Sequence, residues 1–493
     1  MENKARIAAA GRLAAYACAL FIAAATTLFA WRGSLFVATA DAWGFIATFL
    51  ARYYGGTLTL ADFFAKRDSL DHSQPLQKLL LLVYARFFDL DFAFEAVTGV
   101  AFGLALIAVV VAIVRADTKA APRAKSLIAL TTLGMTAVVL SLNDEGIFAW
   151  SLATLSLFYP FGVALMLVFA HRCIVRDQPL ALAAGTLAAC LLLDTSALLA
   201  AAAIVVLIAL RWRALAPARA PLRLAAAVGG AVVLYVAGYA IAFPDVHSSV
   251  AMSQRFGAFL AHAGEAWKLL VVPLGAVVAS PHRIKQIYGV AAFWTWLVPA
   301  AIAIAVAHVW FWREIFKRED SRLTFVAAGL MLFFYATVAG ILWARVPRYG
   351  FDYFMQSRYL VFYMLQLVAM LMVGASNAAR SDRSADPFVA YAATVVVLAA
   401  AALVYGRRVE LPAHVEFNRM LDAKAIELAE HPAVPPADCP INHLTLCGWT
   451  PDVRVATLAL MRREQLNVFS PRFRERHALP PLPPSLQQLP SAP

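Results

Sequence analysis

The chain has 493 residues, of which 62% are hydrophobic and 15% are charged, and its mean hydropathy is +0.71. These values exclude a soluble protein built around one ordinary core. The net charge of +12 would suggest nucleic acid in a soluble chain, but the basic residues gather in short connections and form no face interleaved with aromatic residues. The composition therefore predicts an integral membrane protein and no nucleic-acid partner.

Apolar blocks recur along the chain with lengths of roughly 17 to 25 residues, which is what crossing about 30 Å of hydrocarbon requires. We expect an all-α polytopic membrane protein with about eleven transmembrane helices, in a range of about ten to thirteen. The predicted spans are 12–31, 92–114, 126–142, 148–170, 180–193, 197–210, 224–243, 290–311, 323–343, 359–373 and 388–405.

The basic connections alternate with acidic or longer ones, and Lys4 and Arg6 fall on the basic side. The positive-inside rule then predicts a cytoplasmic N-terminus and a periplasmic location for the first connection, 32–91. We expect a transmembrane domain, 1–405, and a periplasmic tail, 406–493, which is partly helical and ends in a disordered proline-rich stretch. The apolar block at about 266–280 is too short to span, and we interpret it as re-entrant or interfacial.

Two features of the extracytoplasmic segments remain open in the sequence. Ala38-Thr39-Ala40 resembles a signal-peptidase site, but Arg32 separates it from the apolar run, so we favour an uncleaved anchor. Cys439 and Cys447 lie in the predicted periplasmic tail, where a disulfide would form in an oxidising compartment, and two free thiols are the alternative.

The first connection carries the leading candidates for catalysis. Asp41 precedes an amphipathic stretch, 43–54, that we expect to rest on the membrane interface, so its carboxylate could accept a proton from a hydroxyl. Asp71 and His72 come just before a second amphipathic helix, which we expect to begin near Pro75 and to run through Phe88. Helix capping is the alternative role for these acidic residues.

Three arginines, Arg345, Arg348 and Arg358, lie on the side opposite the basic connections, so topology does not account for them. Guanidinium groups bind phosphate oxygens bidentately, which suggests an anionic lipid substrate. The alternatives are anchoring to ordinary phospholipid headgroups and pairing with Asp352. Further candidates on this side are Arg283 for phosphate, and Asp144, Glu145 and Tyr349 for a sugar or an acceptor; solvated acidic residues and an interfacial anchor are the alternatives.

The chain resembles the GT-C superfamily of glycosyltransferases, which use polyprenyl-phosphate-linked sugars. The resemblance rests on the large first connection with Asp41, on Asp71-His72-Ser-Gln-Pro-Leu76, and on the Arg348 to Tyr359 segment. The Asp71-His72 stretch is similar to an Asn-Glu-His-Arg-Pro element of poorly characterised bacterial membrane proteins. The segment from Arg462 to Phe469 is similar to the tails of those proteins. Here Ser73 replaces the arginine of that element, so a role for that arginine would need Arg67 or Arg86.

The resemblance implies a bacterial inner-membrane enzyme in which Asp41, or else Asp71, serves as catalytic base. Its donor would be a polyprenyl-phosphate sugar and its acceptor a cell-envelope glycan, lipid or protein. No cofactor or divalent metal is implied, because no Asp-X-Asp pair stands at the start of the first connection. The alternatives are an O-antigen or polysaccharide polymerase, a lipid-linked oligosaccharide flippase or another transporter, and a structural or assembly protein. The sequence leaves the sugar, the stereochemical outcome and the oligomeric state open.

Overall fold

The computed structural model describes the chain apart from a set of short segments. These are residues 1, 40, 67–72, 151–153, 211–219, 245–251, 279–280, 319, 381–385, 408–409, 432–445 and 483–493. Only the backbone is described at 2, 4, 41, 144, 154–155, 252–254, 256, 281–290, 292–293, 357 and 410.

All secondary structure in the described part is helical. The α-helices are α1 (Glu2–Gly33), α2 (Asp41–Phe45), α3 (Ala51–Tyr54), α4 (Leu60–Phe64), α5 (Pro75–Phe87), α6 (Phe92–Thr118), α7 (Ala124–Val139), α8 (Phe158–Val175), α9 (Pro179–Leu193), α10 (Thr195–Leu210), α11 (Ala220–Ala242), α12 (Met252–Ala261), α13 (Lys268–Gly275), α14 (Pro281–Phe316), α15 (Arg322–Ala344), α16 (Val346–Tyr349), α17 (Leu360–Arg380), α18 (Asp386–Gly406), α19 (Glu410–Glu430), α20 (Pro451–Arg463) and α21 (Pro471–Arg476). A π-helical turn, Ile46–Leu50, joins α2 to α3, and 3₁₀ turns lie at Leu142–Phe148, Thr154–Leu157, Ala263–Glu265, Phe351–Met355, Ser357–Tyr359, Leu446–Gly448 and Asn467–Phe469.

Eight helices within the described residues are long and apolar enough to cross a membrane: α1, α6, α8, α11, α14, α15, α17 and α18. Three more apolar helices, α7, α9 and α10, have 15 or 16 residues. At 1.5 Å per residue these three reach only about 24 Å, which is less than the usual hydrocarbon thickness. The chain is therefore an all-α polytopic membrane protein; each of the eleven predicted spans coincides with an apolar helix, and the exact number that cross remains a prediction.

The predicted start of the fourth span, at Phe148, is wrong. The helix α8 begins ten residues later, at Phe158, after the 3₁₀ turns Leu142–Phe148 and Thr154–Leu157. Pro160 explains the later start, because proline fits the first turn of a helix but removes a hydrogen bond from its interior. Because the residues before Phe158 are also apolar, hydropathy alone does not mark where the helix begins.

Hydrogen bonds and ion pairs divide the bundle into two ends. At one end the backbone N–H of Leu35 donates to Ala149, and Asn418 donates to the carbonyl of Gly33. At the opposite end Arg223 pairs with Asp177 at 2.7 Å. The first end carries the first connection and the tail; it is called the outer end here, because the sequence predicts it to lie outside the cytoplasm.

The first connection and the tail share one hydrophobic core at the outer end. This outer core joins Phe36, Trp43, Phe49 and Leu90 from the first connection to Leu428, Met461 and Phe473 from the tail. Trp43 and Phe45 are each 2% exposed, and Ile46, Phe49 and Leu50 are buried as well, so the prediction that these residues rest on the membrane interface is wrong; Tyr53 is exposed. The tail supplies the apolar partner that the local sequence does not reveal.

Polar contacts fix the same interface. The backbone N–H of Val37 donates to Asp422 at 3.1 Å, and the side-chain amide of Asn467 donates to the carbonyls of Phe36 and Leu90. Asp91 accepts from Arg476 at 2.6 Å. The helical part expected in the tail includes α19, Glu410–Glu430.

The start of the proline-rich end contacts the outer core. Leu479 and Leu482 pack on it, and Arg474 donates to the carbonyl of Pro480. The disorder expected for this end stays a prediction, and residues 483–493 lie outside the described part.

The block at about 266–280 contains a short helix, α13, that enters the bundle from the outer end. Its Pro273 is buried, and the carbonyl of Pro273 accepts a hydrogen bond of 2.9 Å from Gln366. Gln366 lies six residues into α17, which corresponds to a depth of about 9 Å. This geometry agrees with a re-entrant segment, because a helix end inside a membrane needs protein partners for its carbonyls.

Candidate functional site

The clearest cluster of predicted residues lies between α15 and α17 and is called the arginine–tyrosine cluster: Arg345, Arg348, Tyr349, Tyr353, Arg358 and Tyr359. The rings of Tyr349 and Tyr353 stack with centroids 4.6 Å apart. The guanidinium of Arg348 lies 5.2 Å from the ring of Tyr349, and that of Arg358 lies 5.4 Å from the ring of Tyr353. The structure therefore places Arg348 and Arg358 against one pair of stacked rings.

Burial raises the pKa of Tyr359, although the neighbouring positive charges of Arg358 and Arg345 act in the opposite direction. This electrostatic effect places Arg345 in the same neighbourhood as Arg358. Asp352 pairs with Lys268 at 2.7 Å, and no ion pair joins it to these arginines among the described residues. The alternative in which Asp352 neutralises the arginines is therefore not supported.

A second predicted pair of residues lies beside this cluster. The turn Leu142–Phe148, which carries Asp144 and Glu145, packs against the turn Ser357–Tyr359, which carries Arg358. Glu145 is 7% exposed and contacts His414 of α19, with 3.1 Å between Oε1 and Nδ1. Glu145 is thus a buried acid in contact with the tail, not a solvated residue at the end of a span. The side chain of Asp144 lies outside the described part.

The side chains of the proposed base, Asp41, and of its alternative, Asp71, lie outside the described residues. Asp41 begins α2, close in sequence to the outer core, and its side chain lies outside the described residues. Asp71, His72 and Arg67 lie outside them as well, as do Cys439 and the side chain of Arg283. Cys447, the predicted partner of Cys439, is disulfide-bonded.

Ser73, which follows Asp71 and His72, belongs to a polar site that was not predicted from the sequence. The backbone N–H of Ser73 donates to Oδ2 of Asp194 at 2.9 Å, and the hydroxyl of Tyr235 donates to Oδ1 at the same distance. The ammonium of Lys66 lies 3.6 Å from Oδ2 and 4.7 Å from the ring centre of Tyr239. Asp194 thus attaches the first connection to the junction of α9 and α10.

The backbone of Asp194 is unusual for this residue type, with φ of 48° and ψ of −125°. An aspartate before a helix normally caps that helix, but these two oxygens reach residues 121 and 41 positions away. Strained conformations of this kind cluster at functional sites. The sequence signal is a single acid between two short apolar helices, a position typical of a simple connection.

Pro75 begins α5 as predicted, and the exposed stripe of that helix includes Leu79 and Phe87. A narrow cleft with room for about one water molecule lies between the start of α5, the start of α8 and the end of α9. Its lining comprises Gln74, Leu76, Gln77, Leu80, Phe158, Tyr159 and Leu192.

No family model, curated protein or solved structure matches this chain. The resemblance to the GT-C superfamily therefore rests on the sequence features given above. No group of three or more His, Cys, Asp or Glu side chains suited to a metal occurs in the part of the chain that the structure describes.

A buried polar network inside the bundle was also missed. Nδ1 of His308 lies 2.7 Å from the hydroxyl of Tyr335, and Nε2 lies 2.8 Å from Oε1 of Gln366. The indole N–H of Trp312 donates to the same Tyr335 hydroxyl. Because Oε1 of Gln366 can only accept, Nε2 of His308 carries a proton, and the amide N–H of Gln366 extends the network to the carbonyl of Pro273. The sequence signal was one ionisable residue in the middle of an apolar helix.

Proposed function

We propose that this chain is a GT-C-type glycosyltransferase of the bacterial inner membrane, with its outer end in the periplasm. It would move a sugar from a polyprenyl-phosphate donor to a cell-envelope acceptor. The observation that carries the proposal is the contact between the turn with Glu145 and the turn with Arg358, beside the stacked tyrosines. That contact brings acidic, aromatic and guanidinium groups to one end of an apolar bundle, where a lipid-linked sugar would arrive.

The arginine–tyrosine cluster is suited to a phosphorylated ligand. Arg348 forms no ion pair among the described residues, and its guanidinium faces an aromatic ring that is 45% exposed. Guanidinium donors match phosphate oxygens in pairs, while aromatic rings pack against the apolar faces of sugars. In the proposal Arg348 and Arg358 hold the donor phosphate, with Arg345 and Arg283 beside them, and Tyr349 contacts the sugar or the acceptor.

The proposed reaction is a direct displacement. Asp41 takes the proton of an acceptor hydroxyl, the hydroxyl oxygen bonds to the anomeric carbon, and the bond from that carbon to the phosphate oxygen breaks. The leaving polyprenyl phosphate carries away the bonding electrons as a stabilised anion, so guanidinium donors can serve in place of a general acid. His72 orients the sugar or the base, Asp71 is the second candidate for base, and one inverting step is the simplest version.

The test compares cell-envelope glycans by mass spectrometry in cells with and without this chain, complemented by variants. We expect Asp41→Asn and Arg348→Ala to reproduce the glycan loss of the deletion. Arg463→Ala is the matched control, because Arg463 is exposed at the outer end and pairs only with the neighbouring Glu464 in the described structure. Unchanged glycans in the deletion strain would refute the proposal, and activity in Asp41→Asn with loss in Asp71→Asn would move the base to Asp71.

One observation favours the transporter alternative. His308 is 9% exposed within a helix long enough to span, and buried ionisable residues at such positions are typical of transport pathways. A flippase would move a fluorescent lipid-linked oligosaccharide across proteoliposomes with or without Asp41. Translocation that survives Asp41→Asn and stops in His308→Leu would support that alternative.

A further inference from the structure

We propose that Lys268 determines the selectivity of the arginine–tyrosine cluster for an anionic lipid, by compensating two carboxylates that lie beside the cluster. This inference rests on the proposed function and deepens it, because it assigns a source for the preference of the cluster for a phosphate. Lys268 touches neither the donor nor the reacting atoms in the proposed reaction. It acts on the site through its charge.

Lys268 is the first residue of α13 and pairs with two acids. Its Nζ lies 2.8 Å from Oε2 of Glu265 and 2.7 Å from Oδ1 of Asp352. The lysine side chain is 14% exposed, whereas the two acidic side chains are 46% and 61% exposed. The first turn of a helix disfavours a cation, because the positive end of the helix dipole lies there. Lys268 is therefore explained by the carboxylates that it compensates, and not by a contribution to its own helix.

Asp352 is the carboxylate that links Lys268 to the arginine–tyrosine cluster. It precedes Tyr353 in the turn Phe351–Met355, and α13 packs against that turn. The hydroxyl of Tyr353 contacts the guanidinium of Arg358, and the ring of Tyr353 stacks on Tyr349. Charges at a protein surface interact over about 10 Å at 0.1 M salt, which is comparable with the size of this turn. The charge of Asp352 therefore acts on the guanidinium groups unless Lys268 compensates it.

The helix α13 and the turn with Asp352 are also joined without the ion pair. The side-chain amide of Gln366 donates both to the carbonyl of Pro273 in α13 and to the carbonyl of Tyr363 in α17. The hydroxyl of Tyr363 donates in turn to the carbonyl of Phe354, which belongs to the same turn as Asp352. These buried contacts hold the helix and the turn together when the ammonium is removed. The charge of Lys268 can therefore be tested separately from the local structure.

Removal of the ammonium should weaken the binding of a phosphate and leave the binding of a neutral headgroup unchanged. Lys268→Met keeps most of the apolar stem and leaves two carboxylates uncompensated. These carboxylates then compete with a phosphate for Arg348, which pairs with no carboxylate among the described residues. Exposed charges of this kind change binding by about 2- to 5-fold, so we expect the affinity for a phosphorylated lipid to fall by that factor. A headgroup without charge is not repelled.

The test is native mass spectrometry of the purified full chain in detergent, titrated separately with undecaprenyl phosphate and with undecaprenol. We expect Lys268→Met to lower the preference for undecaprenyl phosphate over undecaprenol by about 2- to 5-fold, with the affinity for undecaprenol unchanged. Lys268→Arg should keep the preference of the wild type, and Lys268→Met/Asp352→Asn should regain most of it. Lys317→Met is the matched control and should keep the full preference, because Lys317 also pairs with a glutamate three residues away, but at the opposite end.

An equal loss of both lipids in Lys268→Met would show a structural role and would overturn the inference, as would a double variant that regains nothing. Arg348→Gln separates this inference from the proposed function. If Arg348→Gln loses the preference for undecaprenyl phosphate and Lys268→Met keeps it, the inference alone is wrong. If Arg348→Gln keeps the full preference, the cluster is not the phosphate site, and the donor clamp of the proposed function fails together with the inference.

Discussion

Gln366→Leu should loosen the helix α13 from the bundle. Gln366 is fully buried; its side-chain amide donates to Pro273 and Tyr363, and its oxygen accepts from His308. Pro273 lies near the C-terminal end of α13, where carbonyls have no partner within their own helix. Leucine has a similar volume, so the substitution removes polar contacts with little change in packing.

The expected loss in the free energy of unfolding is set by the polar groups that Gln366→Leu leaves without hydrogen-bond partners. The carbonyl of Pro273 and the Nε2–H of His308 lose their only hydrogen bonds among the described residues, whereas Tyr363 lies in the regular ladder of α17. Side-chain hydrogen bonds between membrane helices contribute about 0.6 kcal/mol on average and up to about 1.7 kcal/mol. Two such losses predict a decrease in the free energy of unfolding of roughly 1 to 3 kcal/mol.

The free energy of unfolding is measured by titrating the protein in mixed micelles with sodium dodecyl sulfate. A separate measurement compares the rates at which a protease cleaves the 262–278 segment. The control is Thr394→Val, because the hydroxyl of Thr394 is exposed and bonds only within its own helix, to Ala390. The reasoning would be refuted if Gln366→Leu were as stable as Thr394→Val and no more sensitive to protease. A double-mutant cycle with His308→Leu should give a coupling of about 1 kcal/mol.

Three further changes test other contacts. Burial raises the pKa of Asp62, but hydrogen bonds from Thr59 and Arg52 outweigh it and bring the pKa below the usual 3.8. Its contribution to stability is therefore present above pH 3.8 and is lost as the pH falls through the lower, folded-state pKa. The protection factors of the amides at 52–65, which correct for the intrinsic pH dependence of exchange, should therefore fall in acid. Asp62→Asn should show lower protection already at pH 7 and respond less to pH. Asp194→Ala leaves Lys66 without its carboxylate and should cost about 3 kcal/mol in the same unfolding assay, while Asp194→Ala/Lys66→Met should recover part of that loss. Peptide mapping under non-reducing conditions should find Cys447 linked to Cys439, and Cys447→Ser should speed proteolysis of the tail.

The membrane helices could be predicted from the sequence because apolar length is a local property. The helix α6, for example, contains a long uninterrupted apolar run, and Pro75 marks the start of α5. The start of α8 could not be predicted, since apolar residues continue through the turns before it. Hydropathy distinguishes membrane from water but does not distinguish a helix from a buried turn.

The candidate site was only partly predictable, for a different reason. The arginines stood out because their side of the membrane was unusual, and the structure places Arg348 and Arg358 on neighbouring rings. Asp194 did not stand out, because its partner Ser73 lies 121 residues away. The burial of Trp43 likewise depends on tail residues that no local pattern identifies.

The shared core of the first connection and the tail constrains how the molecule assembles. Asn467 bonds to the carbonyl of Phe36 across 431 positions of the chain, so this layer cannot close until Asn467 has been synthesised. Until then Phe36, Trp43 and Phe49 would lack the tail residues that cover them in the outer core. During biogenesis these side chains would need a chaperone or the lipid surface to cover them. A chain truncated before α20 would insert its membrane helices but would leave this apolar surface exposed and prone to aggregation.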